Sequence, residues 1–243
     1  MNRALVAGAS GMAAQQTALD VIATNLSNVD TPGFRADRPE FASLIDDAGR
    51  RMGASATRSV RLFSQGKIET TSNDFDLAIR GDGLFQVRTT TGAIAYTRAG
   101  NFTPDAAGRL QLPNGASLTR LRLPAGALGC TFAEDGRVRA HVGGSQETRE
   151  VGRLALYAFT NPAGLRLADD GLFYQTNASG APIYGRPKSG GFGVLRQRCL
   201  EHANIDVMTS MMAVLAAQRA YEANAKSVQA ADEMLRLANN LER

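Results

Sequence analysis

Residues 204–241 read NIDVMTSMMAVLAAQRAYEANAKSVQAADEMLRLANNL, and this stretch decides the fold. Val207, Val214, Tyr221, Val228 and Leu235 fall seven apart with no Gly or Pro among them, after Asn204 or Asp206, either of which is a good N-cap. A seven-residue apolar repeat makes a seam that another helix must cover. At 1.5 Å per residue this helix extends about 54 Å, well beyond a small β domain, so its apolar row calls for further surfaces. A second face carries Ala213, Ala216, Ala217, Ala220, Ala223, Ser227 and Ala231, small residues that let backbones approach closely. Glu222 with Lys226 and Asp232 with Arg236 stand acid-first at i,i+4 on the remainder, the better orientation for a solvated face.

The other end of the chain repeats the pattern. Leu5, Met12, Leu19 and Leu26 form a heptad row, with Ile22 and Val29 three places further round. Helix is expected from Asn2 to Asn28, stopping at Asn28-Val29-Asp30-Thr31-Pro32-Gly33. Pro32 disfavours helical geometry at Thr31, and Gly33 is free to take a positive φ. Within this helix Gly8 and Gly11 each cost about 1 kcal/mol relative to Ala, and charges are sparse. Such a helix is marginal alone and needs neighbours on several faces. Neither seam is expected to find a partner within the monomer long enough to cover it, so the terminal segments should order on assembly.

Between the helices the grammar changes. Residues 34–71 read as a polar, extended connector with Arg35, Arg38, Arg50, Arg51, Arg58 and Arg61. After Thr71 the apolar period is two: Phe75, Leu77 and Ile79 alternate, Gly81-Asp82-Gly83 turns, Phe85 and Val87 alternate, and Ile94 and Tyr96 continue after Thr91-Gly92. Turn signals recur at Pro113-Asn114-Gly115, Pro124-Ala125-Gly126, Glu134-Asp135-Gly136, Gly143-Gly144, Asp169-Asp170-Gly171 and Ser179-Gly180. Leu110, Leu112, Leu121, Leu123, Phe132, Val138, Leu154, Leu156, Phe159 and Phe173 supply core positions. The fold class is therefore α+β. Long N- and C-terminal helices form a coiled-coil-like assembly domain and flank a central all-β domain of barrel or sandwich type. The expected boundaries are 1–33 for the first assembly helix, 34–71 for the connector, 72–200 for the β domain and 201–243 for the second helix.

Composition excludes several functions. The 27 basic and 23 acidic residues leave a net charge of only +4, and the arginines are dispersed, which argues against nucleic acid as a partner. No apolar run approaches the roughly 18 residues that span a bilayer, and the N-terminus shows no compact apolar region with a cleavage site. Cys130 and Cys199 lie far apart, with no CxxC and no His at metal-ligand spacing. His141 and His202 lack a nucleophile setting, and Gly8-Ala9-Ser10-Gly11 has neither a preceding strand nor a following Lys, so it is not a phosphate loop. The acidic turns match no EF-hand spacing. The chain is read as no enzyme, with no catalytic or metal residues, no cofactor and no small-molecule substrate.

Several motifs are familiar together. Gly11-Met12, Ala14-Gln15-Gln16-Thr17, Leu19-Asp20-Val21-Ile22-Ala23, Asn25-Leu26, Asn28-Val29 and Thr31-Pro32-Gly33-Phe34 closely resemble the N-terminal signature of the bacterial flagellar rod and hook proteins. Leu200-Glu201, Ala203-Asn204-Ile205-Asp206 and Gln218-Arg219-Ala220-Tyr221-Glu222-Ala223-Asn224 resemble the paired C-terminal signature. Asp76-Leu77-Ala78-Ile79, Gly81-Asp82-Gly83-Leu84-Phe85 and Tyr96-Thr97-Arg98-Ala99-Gly100-Asn101-Phe102 look like the β domain of the longer rod members. The resemblance covers nearly the whole chain and is nearest to the distal tier of the rod, with the proximal tier second. Two departures stand out: the segment from Phe41 to Phe63 is short for a distal subunit, and Arg198-Cys199 stand where the family typically has a Gly and an aromatic.

The resemblance implies a structural subunit of the periplasm-spanning rod, exported by the flagellar type III apparatus without a cleaved signal; the alternative reading is a hook-type axial protein or a secreted adhesin with coiled-coil ends. Implied partners are further copies of the chain in a helical homo-oligomer, other rod subunits and the hook protein, the export apparatus and the surrounding ring proteins. The assembly contacts are expected at Leu5, Met12, Leu19, Ile22, Asn25, Leu26, Asn28, Val29, Val207, Met211, Val214, Gln218, Tyr221, Val228 and Leu235. Thr31, Pro32, Gly33 and Phe34 form the turn after the first helix.

Overall fold

The computed structural model describes residues 3–45, 51–124, 127–142, 148–168 and 171–241. They divide into two compact units, one formed by Met1–Val29, Ala36–Leu62 and Ile205–Arg243, the other by Asp30–Arg35 and Phe63–Asn204.

In the first unit, helix α1 (Arg3–Ser27) and the 35-residue helix α2 (Val207–Leu241) pack on each other. The two helices thus cover each other in part within one chain: the apolar rows are half-buried, while Tyr221 and Leu235 of the C-terminal row remain exposed. The glycines explain how. A Cβ at Gly8 would lie 2.5 Å from Val228 Cγ2, and one at Gly11 would lie 2.7 Å from Asn224 Nδ2. Glycine's low helix propensity is offset by a backbone approach that no side chain permits. Ala14 and Ala18 of α1 and Ala217 and Ala231 of α2 are buried, so small residues rather than large apolar ones fill the tightest layer. α1 ends in tightened i→i+3 bonds, Asn28 N to Asn25 O at 3.0 Å and Val29 N to Leu26 O at 3.3 Å, which satisfy carbonyls that the helix can no longer use.

Within the expected connector, β1 (Asp37–Ile45) pairs antiparallel with β2 (Arg51–Arg61), Asp37 opposite Arg61 and register shifts after Glu40 and Leu44. An ion pair of 3.0 Å between Arg61 Nη2 and Asp37 Oδ2 closes the open end of the hairpin. Both strands lie against α1. The residues that join them, 46–50, lie outside the described set.

The second unit is built from short strands. Seven form one sheet, three form another and the rest pair in twos, and no sheet closes on itself among the described residues. The barrel alternative therefore gives way to open ladders, because strands of two to six residues, each ended by a turn, are too short to stagger round a closed wall. Leu77, Ile79, Phe85, Val87, Phe102, Leu110, Val138, Leu156 and Leu195 are almost wholly buried, but strict alternation does not hold throughout: residues 77–79 and 95–97 are buried as runs, Ile94 is 48% exposed and Phe75 is half-buried. Phe85 and Phe102 meet edge-on with centroids 5.5 Å apart. A second cluster gathers Leu84, Tyr96, Tyr157, Phe159, Leu165 and Phe173. The expected turns at Ala125-Gly126, Gly143-Gly144 and Asp169-Asp170 fall outside the described residues.

Candidate assembly site

Helix α2 begins where a capping side chain permits. Of the two candidate caps, Asp206 serves: its Oδ1 accepts the Met208 N–H at 3.2 Å and its Oδ2 accepts the Thr209 hydroxyl. The Thr209 hydrogen bond, with the Met208 and Thr209 backbone bonds beside it, holds the Asp206 carboxyl below its ordinary pKa. Asn204 instead donates its amide to Ser64 O at 3.1 Å and Ser64 Oγ at 3.0 Å, inside the β unit.

From this start α2 presents apolar side chains to solvent. Met208, Met211, Met212 and Leu215 are each more than half exposed, as are Met234 and Leu237, and Tyr221 and Leu235 are exposed at 40% and 43%. A run spaced i, i+3, i+4, i+7 over the first two turns is the pattern of a helix face awaiting a partner. Val207, Val214 and Val228 are half-buried, and Gln218 is exposed. On α1, Leu5, Met12, Leu19, Ile22 and Leu26 are half-buried, as are Asn28 and Val29 just beyond its end. Asn25 serves the hairpin instead. Its amide takes both backbone groups of Asp37, donating to O at 2.7 Å and accepting from N at 2.9 Å, and so latches β1 to α1.

The turn residues belong to the β unit. Gly33 is buried with φ +71°, and a Cβ there would stand 2.4 Å from Ala99 N. Its N–H donates to Glu201 O at 2.7 Å, and Phe34 N closes the turn on Thr31 O at 3.2 Å. Thr31 is exposed, while Pro32 and Phe34 are half-buried.

Beneath that turn lies a feature that sequence patterning did not single out. Glu201, Arg35 and Arg98 are buried together. Glu201 Oε1 accepts Arg35 Nη2 at 2.8 Å and Gly66 N at 2.9 Å, and Oε2 accepts Arg98 Nε at 2.6 Å. Arg98 donates further to the carbonyls of Ile79 at 2.9 Å, Gly81 at 2.6 Å and Gly83. Burial lowers the Arg35 guanidinium from its ordinary pKa; Glu201 works against that shift and the neighbouring Arg98 adds to it. One carboxylate thus joins the residues that follow α1, the first strands of the β unit, and the strand Cys199–Glu201 that leads towards α2. The available signal was a lone charge beside apolar positions in strand context at Arg98 and Glu201, but nothing in the sequence says that residues 166 positions apart meet.

His141 Nε2 lies 3.0 Å from the Thr131 hydroxyl and His202 Nε2 lies 3.2 Å from Glu69 Oε2. Among the described residues no cluster of three metal-ligating side chains forms, and no helix is long and apolar enough to cross a membrane.

Comparison with known proteins matches this layout segment by segment. Residues 5–35 match the flagella basal body rod protein family, residues 78–140 the D1 domain of the flagellar hook protein FlgE/F/G family, and residues 196–241 the C-terminal family of flagellar basal body rod FlgEFG proteins. Over full length the chain is 39% identical to the flagellar basal-body rod protein FlgG of Borreliella burgdorferi, covering 100% of both chains. The chain belongs to the flagellar basal-body rod protein family. FlgG of Agrobacterium fabrum is 36% identical over 96% of both chains, and FlgG of Bacillus subtilis 33% identical over 100% of both. The matched terminal segments of this rod-family chain cover the two helices of the first unit, and the matched central segment falls in the β unit.

Proposed function

We propose that this chain is a structural subunit of the bacterial flagellar basal-body rod, polymerising through its terminal helices into the shaft that carries torque to the hook. The observation that carries this reading is the exposed apolar face of α2, from Met208 to Leu237, within a segment shared with rod-protein relatives. Burying a Leu or Met side chain contributes about 1.5–3 kcal/mol, so a face of this extent supports a stable contact once several side chains are covered together. The contact is heterologous, different patches meeting on successive subunits, because that geometry builds an open helical filament rather than a closed dimer.

In this reading α1 and α2 form a coiled-coil-like inner layer. The four expected segments, 1–33, 34–71, 72–200 and 201–243, divide the roles between assembly and the β domain, with residues 36–62 of the connector on the side of the helices and residues 30–35 and 63–71 on the side of the β domain. The contact residues are those of the two heptad rows, with Met211, Gln218, Tyr221 and Leu235 offered outward and the half-buried valines shared with α1. The subunit sits in the distal tier of the periplasmic rod, meets other rod subunits, the hook protein and the ring proteins around the shaft, and reaches its place through the flagellar export apparatus without a cleaved signal. Its role is mechanical rather than enzymatic, and it needs no cofactor.

Electron microscopy of basal bodies from a strain lacking the gene tests the reading. A rod that stops short and carries no hook is expected; intact, motile flagella refute it. The double variant Met211→Glu with Leu215→Glu should give the same truncated rod while the purified subunit keeps its circular dichroism spectrum.

A further inference from the structure

The buried ionic cluster is not electrically balanced. Arg35 and Arg98 bring two positive charges and Glu201 one negative, so the cluster itself carries a surplus of one positive charge, while the buried Asp76 of the same unit bonds to Thr71 and Asn73 instead. Arg98 disperses its share over three backbone carbonyls. Arg35 does not: among the described residues, beyond Glu201 it reaches only Phe34 O at 3.5 Å, and its buried Nε–H finds no acceptor. Beside it opens a pocket of about 270 Å³, walled by the rings of Phe63, Tyr157 and Phe159 and lined by both arginines. Asp82 stands at its rim, exposed, and forms no ion pair with either arginine. A cavity that joins apolar rings to an under-neutralised guanidinium suits a ligand with an acidic head and an apolar stem.

We infer that this pocket receives an Asp or Glu side chain from a neighbouring copy of the same chain, the carboxylate neutralising the surplus charge at Arg35 and the stem lying against the rings. The inference rests on the rod reading, since only a polymer supplies the neighbour. It places a second contact between subunits on the β unit, apart from the apolar face of α2, and makes that contact sensitive to charge.

Two arms test it on the full-length protein. In the first, 3-phenylpropionate is titrated while the Arg35 Nε–H resonance, assigned with the Arg35→Lys variant, is followed by NMR; 3-phenylpropanamide is the neutral control. A saturable shift with the acid alone is expected, and no shift, or an equal shift with the amide, overturns the carboxylate chemistry. In the second, Ala158→Trp fills the pocket from a strand whose backbone pairing with Ile183 does not depend on the side chain. Basal bodies carrying the variant should hold at least tenfold less of this subunit by quantitative immunoblot, although the purified variant melts as the wild type does. Asp82→Trp, which caps the mouth from an exposed turn, replaces it if Ala158→Trp melts early. Normal amounts of subunit with the pocket blocked overturn the intersubunit contact even where the small acid binds. Because the gene deletion tests the rod itself, normal variant rods beside absent rods in the deletion strain refute the pocket and leave the rod reading standing.

Discussion

Replacing Glu201 by Gln removes one charge and leaves two buried cations facing each other. The carboxylate takes three donors, from Arg35, Arg98 and Gly66, and is itself inaccessible to water. A glutamine amide offers one oxygen and turns N–H groups towards the remaining guanidinium, so at least one donor meets another donor. Removing one partner of a buried ionic group costs about 3–5 kcal/mol, because the charges left behind are neither paired nor hydrated. In a domain of roughly 150 residues each kcal/mol moves Tm by about 2–4 °C, which places the fall at about 6–20 °C. Tyrosine absorbance or fluorescence isolates the relevant unit: Tyr96, Tyr157, Tyr174 and Tyr184 lie in the β unit and Tyr221 in α2. Combining Arg35→Met with Glu201→Gln removes one of the stranded charges, so the pair should cost less than the sum of the single changes by more than about 0.5 kcal/mol. A fall below about 3 °C for Glu201→Gln, or simple additivity of the pair, would refute the account of the cluster.

Gly8→Leu drives a side chain into Val228 across a gap that admits no Cβ, so the helical melt at 222 nm should lose about 1–3 kcal/mol while the tyrosine-reported β transition stays in place. Native protein should titrate with one thiol reagent equivalent. Half-exposed Cys199 reacts, whereas Cys130, buried and with its pKa pushed up to about 12 by burial and then by Asp74, reacts only in denaturant. Asp206 binds its proton less readily when folded, so its contribution to the start of α2 is fully present above the ordinary carboxylate pKa and is lost as pH falls through the lower folded value. Acid titration of the 222 nm signal should therefore show early fraying in the wild type that Asp206→Asn, which keeps an uncharged cap, does not share.

The helices were legible because their apolar period runs unbroken for many turns and because Asp206 and Pro32-Gly33 mark their limits. The strand around Phe85 was legible for the same reason, at period two, whereas the strand at Ile94 was legible as a strand but not by face, since Ile94 is exposed and the three residues after it are buried. The pairing of α1 with α2 was only half visible: sparse charge and two glycines announced a crowded helix, yet nothing in a linear pattern says whether the crowding comes from the same chain or another. The hairpin from Asp37 to Arg61 was opaque because its residues are polar and basic, and what holds it is Asn25 bonded to the Asp37 backbone rather than an apolar stripe. Arg198 adopts φ +56°, a conformation suited to glycine, which gives a physical reason for the glycine the family typically places there. Its guanidinium meets Asp74, so the substitution exchanges backbone ease for an ion pair at the surface.

The chain passes into the β unit through residues 30–35 and out of it through residues 201–204, and the two passages are riveted side chain to side chain by Arg35 with Glu201 and backbone to backbone by Gly33 with Glu201. A tug on either flank therefore arrives at one shared joint, where it loads several bonds in parallel. Unzipping a strand from its edge breaks bonds singly; this joint yields only when its bonds fail at once, which makes the passage stiff against pulling from both sides.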